Sequence, residues 1–587
     1  MKKVFKNILT TTISMILASI VLIILIISFF AISVSSVKSE KKATIKPNSI
    51  LTINLAENIV VERKSSNPFE SISSIEKKTQ TIELKEILDN IEKAKYDDRI
   101  KAIYINTSFT NSGISQTEEI RNKLLEFKKT GKKIISYSET YSQNAYYLSS
   151  VANKLYIHPE GGLDLRGLSA SIMFYKGLLK KLDIDMQIIR HGKFKSAIEP
   201  FILEKMSVEN REQIQLLLNG FYENIMDSIA SQRGLNLEEI EGHIDELKIN
   251  SAKSCYDLSY VDGLLYQDQI EDSLISISET EKLNLININK YSKVKIKNKE
   301  ISRNKIAIIY ATGAINSGKG DEKSIGSETT REAIKNARTD KNVKAIVLRI
   351  NSGGGSALAS DVILREALLA KKQKPFVVSM GDYAASGGYY IACMADSIVA
   401  NPTTLTGSIG VFGMIPNLQN FYKNKLGITI DTVNTNKYSD IGINRRLSNF
   451  ERNKIQMQIE NVYDTFISHV SNGRNIPKDE VDKIGQGRVW NGYDAKRIGL
   501  IDVYGGLEKA IEISAKLAEI KNYRTVSLPK KKDPIEIIIN NLSKEVNINN
   551  IIFNKIGITS STIDPIENLL QDDIIQARMP FIIKLKQ

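Results

Sequence analysis

One stretch of this chain is written twice. The segment Asp97-Asp98-Arg99-Ile100-Lys101-Ala102-Ile103 resembles Asp340-Lys341-Asn342-Val343-Lys344-Ala345-Ile346, a shift of 340 − 97 = 243 positions. The same shift carries Ser136 onto Ser379, Glu139 onto Asp382, Tyr146-Tyr147 onto Tyr389-Tyr390, Ala152 onto Ala395 and Pro159 onto Pro402. One offset held over so long a stretch marks a duplicated domain, and a duplication constrains the architecture before any local feature does. Gly263-Leu264 and Gly499-Leu500 read as matching ends of the copies after a small change of offset. The expected layout is a first copy over 45–290, a second over 300–525 and a tail over 526–587.

Within the second copy, 305–310 (KIAIIY), 345–350 (AIVLRI) and 375–379 (PFVVS) are short apolar, β-branched runs of the kind found in buried strands. Between the last two, 356–371 places Leu358 with Val362 and Leu364 with Leu368 four residues apart, a helical spacing. Strand, helix and strand in that order make a crossover between parallel strands. The first copy repeats the order at 100–105, 117–129 and 133–137. The fold class is α/β, in two tandem copies.

The N-terminus has a different character. Positions 7–37 hold 31 consecutive uncharged residues, rich in Ile, Leu and Phe. About 20 apolar residues span a bilayer, whereas the apolar region of a cleaved signal peptide runs to only about 7–15. The segment therefore reads as one transmembrane anchor, with 1–6 in the cytoplasm because Lys2, Lys3 and Lys6 precede it. Everything after about Lys38 is then expected outside the cytoplasmic membrane. The rest of the 587 residues has ordinary soluble composition, with 42% hydrophobic and 25% charged residues. The net charge, 80 − 67 = +13, is scattered and lacks any nucleic-acid-binding motif, so no nucleic-acid partner is expected. Two cysteines and four histidines without ligand spacing give no reason to expect a metal or a cofactor.

Two small-residue clusters follow strands in the second copy. Asn351-Ser352-Gly353-Gly354-Gly355-Ser356 lies between a strand and a helix, where free N–H groups can serve as an oxyanion hole. Ala384-Ala385-Ser386-Gly387-Gly388-Tyr389 places a serine at a turn into a helix, as an exposed nucleophile is presented, although it is not the GxSxG elbow. A serine nucleophile needs a base. The second copy has no histidine before His469, which reads as an ordinary helix residue, and His158 and His191 have no partner pattern. Lysine remains, provided burial lowers its pKa from about 10.4 by roughly three units.

At this point the chain resembles the signal peptide peptidase A family, also called protease IV, in its long two-repeat form. The motifs that carry the resemblance are Ser386 in AASGGYY, the preceding NSGGGS, the following Asn401-Pro402-Thr403-Thr404-Leu405-Thr406-Gly407-Ser408-Ile409-Gly410, the later Gly487-Arg488-Val489-Trp490, and Gly192-Lys193-Phe194-Lys195-Ser196-Ala197-Ile198-Glu199-Pro200-Phe201 in the first copy. The resemblance implies ClpP/crotonase-like repeats and a serine endopeptidase with Ser386 as nucleophile and Lys195 as general base. It further implies Ser408 supporting the lysine, and an oxyanion hole among Gly354, Gly355 and Gly387. It also implies remnant signal peptides and other unfolded or apolar peptides as substrates, and a homo-oligomer, a tetramer in the family. Position 353 is glycine where the family usually has proline, which predicts a more flexible loop.

The duplication sharpens this division of labour. Subtracting 243 from 386 gives Gln143, and adding 244 to 195 gives Ser439, so each copy lacks what the other supplies. The site is expected where the copies meet. Two other readings stay open from the residues alone: an acyl-CoA enzyme of the crotonase type, and a non-catalytic membrane scaffold.

Overall fold

The structure, a computed structural model, describes residues 11–21, 44–65, 80–294, 302–531 and 575–579. Of the expected anchor, residues 11–21 are helical, and the remainder lies outside the described residues. Among the described residues no helix is long and apolar enough to cross a membrane.

The first copy contributes strands β1 (Ser49–Ile53), β2 (Ile100–Ile105), β3 (Lys133–Ser142), β4 (Lys154–Asp164) and β5 (Asp185–His191), with helices α1 (Ile114–Lys128), α2 (Gln143–Ser149) and α3 (Val208–Arg233). The second contributes β6 (Lys305–Thr312), β7 (Val343–Ser352), β8 (Gly354–Ser356), β9 (Phe376–Ala385), β10 (Leu405–Gly407) and β11 (Val411–Asn417), with α4 (Ala357–Lys371), α5 (Gly387–Tyr390) and α6 (Asn449–Arg474). A further strand, β12 (Ile575–Arg578), comes from the tail. The offset of 243 carries α1 onto α4 and β3 onto β9 end to end.

In the first sheet β4, β3, β2 and β1 lie side by side, all parallel; in the second, β10, β9, β7 and β6 do the same. Both faces of the second sheet are covered. Ile306, Ile308, Ala345, Val347 and Val377 pack against the helix Leu507–Leu517, while Ala307, Ile309, Ile346, Leu348 and Val378 join the larger core on the opposite face. That two-sided burial is why these strands read as continuous apolar runs rather than alternating ones.

Several expectations change in detail. The strand expected at 375–379 runs to Ala385, past Gly381 and Asp382, because a register shift near Ser352 lets it pair with β10 and deliver Ser386 just after its end. In α4 the buried residues include Ile363, Leu364, Ala367 and Ala370, whereas Leu358 is 65% exposed, so the stripe expected at Leu358 and Val362 is not the core face. Gly263 does not match Gly499. Asp262 and Asp502 are the equivalents: each pairs with the arginine ending the long helix, Arg233 or Arg474, and each accepts a strand N–H, from Leu155 or Ile398. The shift there is 502 − 262 = 240. Finally, Arg524–Leu528 pairs with β6, so the second sheet extends beyond residue 525.

A third sheet joins the copies. Its order is Ser324–Gly326, Ala314–Asn316, β8, β12, β11 and β5, so one edge belongs to the first copy and the rest to the second copy and the tail.

Candidate active site

Ser386 directly follows β9, at the entry to α5. Its φ of 55° and ψ of −114° lie outside the conformations L-residues ordinarily adopt, a strain of about 1–3 kcal/mol that surrounding structure must hold. The hold comes from β10: Ser386 N–H donates to the Gly407 carbonyl at 2.7 Å. The glycines that follow are demanded by space. A Cβ on Gly388 would lie 2.7 Å from the Ser352 carbonyl oxygen, and one on Gly387 would lie 2.8 Å from Ser360 Oγ.

Lys195 arrives from the other copy. Strand β5 pairs antiparallel with β11 from Val411 opposite His191 to Asn417 opposite Asp185. Gly192, at φ 103°, then turns the chain, and Phe194 N–H donates to the Gln486 carbonyl at 2.9 Å. From α3, Gln213 Nε2 donates to Ser196 Oγ at 2.9 Å, and its Oε1 accepts Val489 N–H at 3.2 Å, tying the lysine loop to the second copy. The lysine stem lies in a slot made by glycines. A Cβ on Gly487 would come within 2.7 Å of Lys195 Cβ, and one on Gly410 within 3.2 Å of its Cδ. Arg488 stacks over Phe194 and Trp490, with its guanidinium carbon 4.8 and 4.6 Å from the ring centroids.

The three side chains meet in a fully buried cluster. Lys195 Nζ lies 2.7 Å from Ser386 Oγ, 3.1 Å from Ser408 Oγ and 3.2 Å from the Ser408 carbonyl oxygen. Lys195, Ser386 and Ser408 each have 0% exposure. Among the described residues no carboxylate pairs with the lysine, and burial holds its ammonium pKa well below the ordinary lysine range. A neutral amine has two N–H donors and one lone pair, and the surroundings match that inventory. Both oxygens of Ser408 can accept N–H, leaving the lone pair for the Ser386 hydroxyl proton. Ser408, at φ 50°, is held in place by its N–H donating to the Arg488 carbonyl at 2.7 Å.

Of the three candidate oxyanion donors, Gly354 differs from the others. Its N–H donates to Ser352 Oγ at 3.1 Å and is thereby engaged. The amides of Gly355 and Gly387 remain, one on β8 and one directly after the serine. Gly353 needs no special conformation, and a Cβ there would meet only Met579, the residue after β12, at 3.4 Å and beyond.

Sequence reasoning missed a second polar cluster at the joint between the copies. Arg349 of β7 is fully buried. It donates to both Glu62 oxygens at 2.9 Å, to Glu119 at 2.7 Å, to Ser379 Oγ at 2.9 Å and to the Met380 carbonyl at 3.0 Å. Glu62 and Glu119 belong to the first copy. Nearby, the Asp382 carboxylate accepts Ser115 N–H at the start of α1, yet burial pushes its pKa up to about 6. Glu118, which accepts Thr403 Oγ1–H at 2.5 Å, is pushed up to about 7, again chiefly by burial. The one sequence signal for this cluster was an arginine inside the apolar run at 345–350.

With that geometry in place, comparisons place the chain among known proteins. The model of peptidase family S49 matches it twice, over residues 126–279 and 369–521. Protease 4 of Salmonella typhi is 34% identical over 473 residues, covering 78% of this chain and 76% of that protein. The chloroplastic serine protease SPPA of Arabidopsis thaliana is 32% identical over 516 residues, covering 86% and 75%. Among solved structures, a point mutant of ClpP1 from Listeria monocytogenes matches 35% of this chain and 94% of its own, with 14% identity and a TM-score of 0.24.

Proposed function

The chain belongs to peptidase family S49 and is a serine-type peptidase, and from that premise we propose that Ser386 and Lys195 form its catalytic dyad. The observation that carries the reading is the 2.7 Å contact between Lys195 Nζ and Ser386 Oγ in a cluster sealed from water. Neutral Lys195 takes the Ser386 proton as Oγ adds to a peptide carbonyl. The amides of Gly355 and Gly387 hold the oxyanion, and Ser408 keeps the amine oriented. The lysine then passes its proton to the leaving amine, and water hydrolyses the acyl-enzyme. A serine-reactive phosphonate probe should label the wild type and spare Ser386→Ala; labelling of Ser386→Ala at wild-type level would sink the assignment.

The wider setting belongs to the same reading. Residues 7–37 anchor the chain in the cytoplasmic membrane, the two ClpP/crotonase-like repeats lie on its extracytoplasmic side, and the substrates are remnant signal peptides with small and apolar residues. Assembly into a homo-oligomer is supported by what the copies leave unpaired. The shift of 244 that relates Lys195 to Ser439 carries β5 onto 429–435, and subtracting it from β11 gives 167–173. Neither segment has a strand partner among the described residues, and Ile430 at 45%, Val433 at 99% and Met173 at 67% are exposed. Pairing 429–435 of one protomer with 167–173 of the next would repeat the β5–β11 joint head to tail, a heterologous contact that closes a ring when its rotation permits.

A further inference from the structure

A small cavity of about 70 Å³ lies where three parts of the chain meet. Arg63 lines it from the first copy, Tyr310 and Thr312 from the carboxyl end of β6, and residues 529–531 from the segment that follows the strand paired with β6. The start of the helix Ser327–Thr339 completes it, through Gly326, Thr329 and Thr330. Among the described residues ten buried side-chain polar atoms have no hydrogen-bond partner, and three of them belong to this one cavity: Arg63 Nε, Tyr310 Oη and Thr312 Oγ1. A buried donor left unpaired is costly, so three around one small space point to a ligand rather than to chance. Tyr310 is only 8% exposed, and the Arg63 guanidinium carbon lies 5.7 Å from its ring centroid. Burial pushes the Arg63 pKa below the ordinary arginine range, against the opposing pull of Glu83 and Glu322.

The donors define the chemistry of that ligand. A guanidinium and two hydroxyls can donate, and the helix adds the positive end of its dipole, with no side chain capping its first turn. A Cβ on Gly326 would overlap the Gly320 nitrogen, so backbone itself forms that wall. Lys530 and Lys531 bring two further cations, the second shared with Glu83 at 2.8 Å. Asp321 and Glu322 stand against them, which leaves the lining at 3 − 2 = +1. The Asp321 Oδ1 is engaged within its own turn, accepting Ser324 Oγ–H at 2.7 Å and Lys323 N–H at 2.9 Å. A carboxylate offers one flat fork, whereas a tetrahedral oxyanion can meet the guanidinium, the strand-end hydroxyls and the helix start together. Ligands of open α/β sheets also sit beyond the carboxyl ends of the strands, where Tyr310 and Thr312 are. We propose that this cavity binds a phosphate group, held by Arg63, Tyr310, Thr312 and the first turn of the helix Ser327–Thr339. The bound group ties the first copy to the second sheet. No member of the dyad takes part, so the two readings stand or fall separately.

The test titrates inorganic phosphate into the full-length protein in detergent and reads binding by calorimetry, with chloride at matched ionic strength as the reference. The wild type should bind one phosphate per chain. Arg63→Gln should weaken that binding at least about tenfold, the loss expected when a charge-assisted bond is removed. Tyr310→Phe and Thr312→Val keep the shape and should each weaken it about two- to tenfold, so the answer does not hang on whether Arg63→Gln folds. Circular dichroism reports the fold of each variant. Dihexanoyl phosphatidic acid, titrated in the same way, separates the two sources of the group: binding of this lipid alone, weakened by the same substitutions, assigns the site to a lipid headgroup, and binding of inorganic phosphate assigns it to the free ion. Absence of saturable binding of either overturns the proposal. So does binding that chloride reproduces, or that persists unchanged in a folded Arg63→Gln or in both hydroxyl variants.

Discussion

The turn after β3 and the turn after β9 occupy the same place in the two copies and are built for different ends. In the first copy Ser142, at φ −70°, caps α2 by accepting Ala145 N–H, and the next residue, Gln143, accepts Gly167 N–H at 3.0 Å. Every polar atom named there serves the turn itself. In the second copy the residue matching Gln143 is Ser386, which caps nothing and is held at φ 55°. Its hydroxyl is free to meet a lysine from the other copy. The same contrast holds for the strands beyond: β5 is paired and ends near a buried lysine, whereas its equivalent at 429–435 is exposed and leads to an exposed Ser439. A duplicated scaffold thus divides into a relaxed copy that supplies the buried Lys195 and a strained copy that supplies Ser386.

The sharpest way to break this contrast is to remove one member. Lys195→Ala should lower kcat/KM by at least about 10²–10⁴ with the fold retained. In the wild type, kcat/KM should rise with pH through a lysine pKa below the ordinary range, and a profile falling between about pH 6 and 9 without unfolding would contradict this base. Next in size is the joint between the copies. Arg349→Ala leaves Glu62 and Glu119 buried without that cation and should cost about 3–5 kcal/mol in denaturant unfolding.

A smaller effect follows from Asp382. Its pKa is raised to about 6 in the folded state, above the unfolded value near 3.9, so the folded protein binds the proton more tightly. Its contribution to stability is present below about pH 4 and lost as pH rises through about 6. The melting temperature of Asp382→Asn relative to wild type should therefore shift in the variant's favour between pH 5 and pH 8, and a constant difference would remove this account. Smaller still for the chain's own stability is Val433→Asp on the unpaired segment, which should change unfolding by under about 0.5 kcal/mol yet lower the oligomer mass in sedimentation. Last, Gln143→Ser should leave probe stoichiometry at one per chain, since the lysine's counterpart in the second copy is Ser439 and that turn has no matching base.

Much of the site was legible because turn chemistry is local. The small residues around Ser386 and the glycines at 353–355 announce tight backbone packing in the one-dimensional string, and the structure places them on either side of the same groove. Gln213 was not legible, because a glutamine on a long helix looks the same whether it faces water or bridges two copies. Nor was β12, four residues from the tail whose partners, β8 and β11, are more than 150 residues away. The buried Arg349 left a trace, but its two glutamates, 287 and 230 residues distant, left none.

By itself the sequence determined the duplication, the α/β class and the complementary loss of one reactive residue from each copy. These follow from periodicity, repeat offset and residue type, which are properties of neighbours along the chain. Only the tertiary structure decided that Lys195 and Ser386, 191 residues apart, touch, and that the tail lies across their groove. The register of β5 on β11 sets the first, and the pairing of β12 between two strands sets the second. The lowered lysine pKa follows from the same cause, since burial is a property of everything packed around the amine and of no single neighbour in sequence.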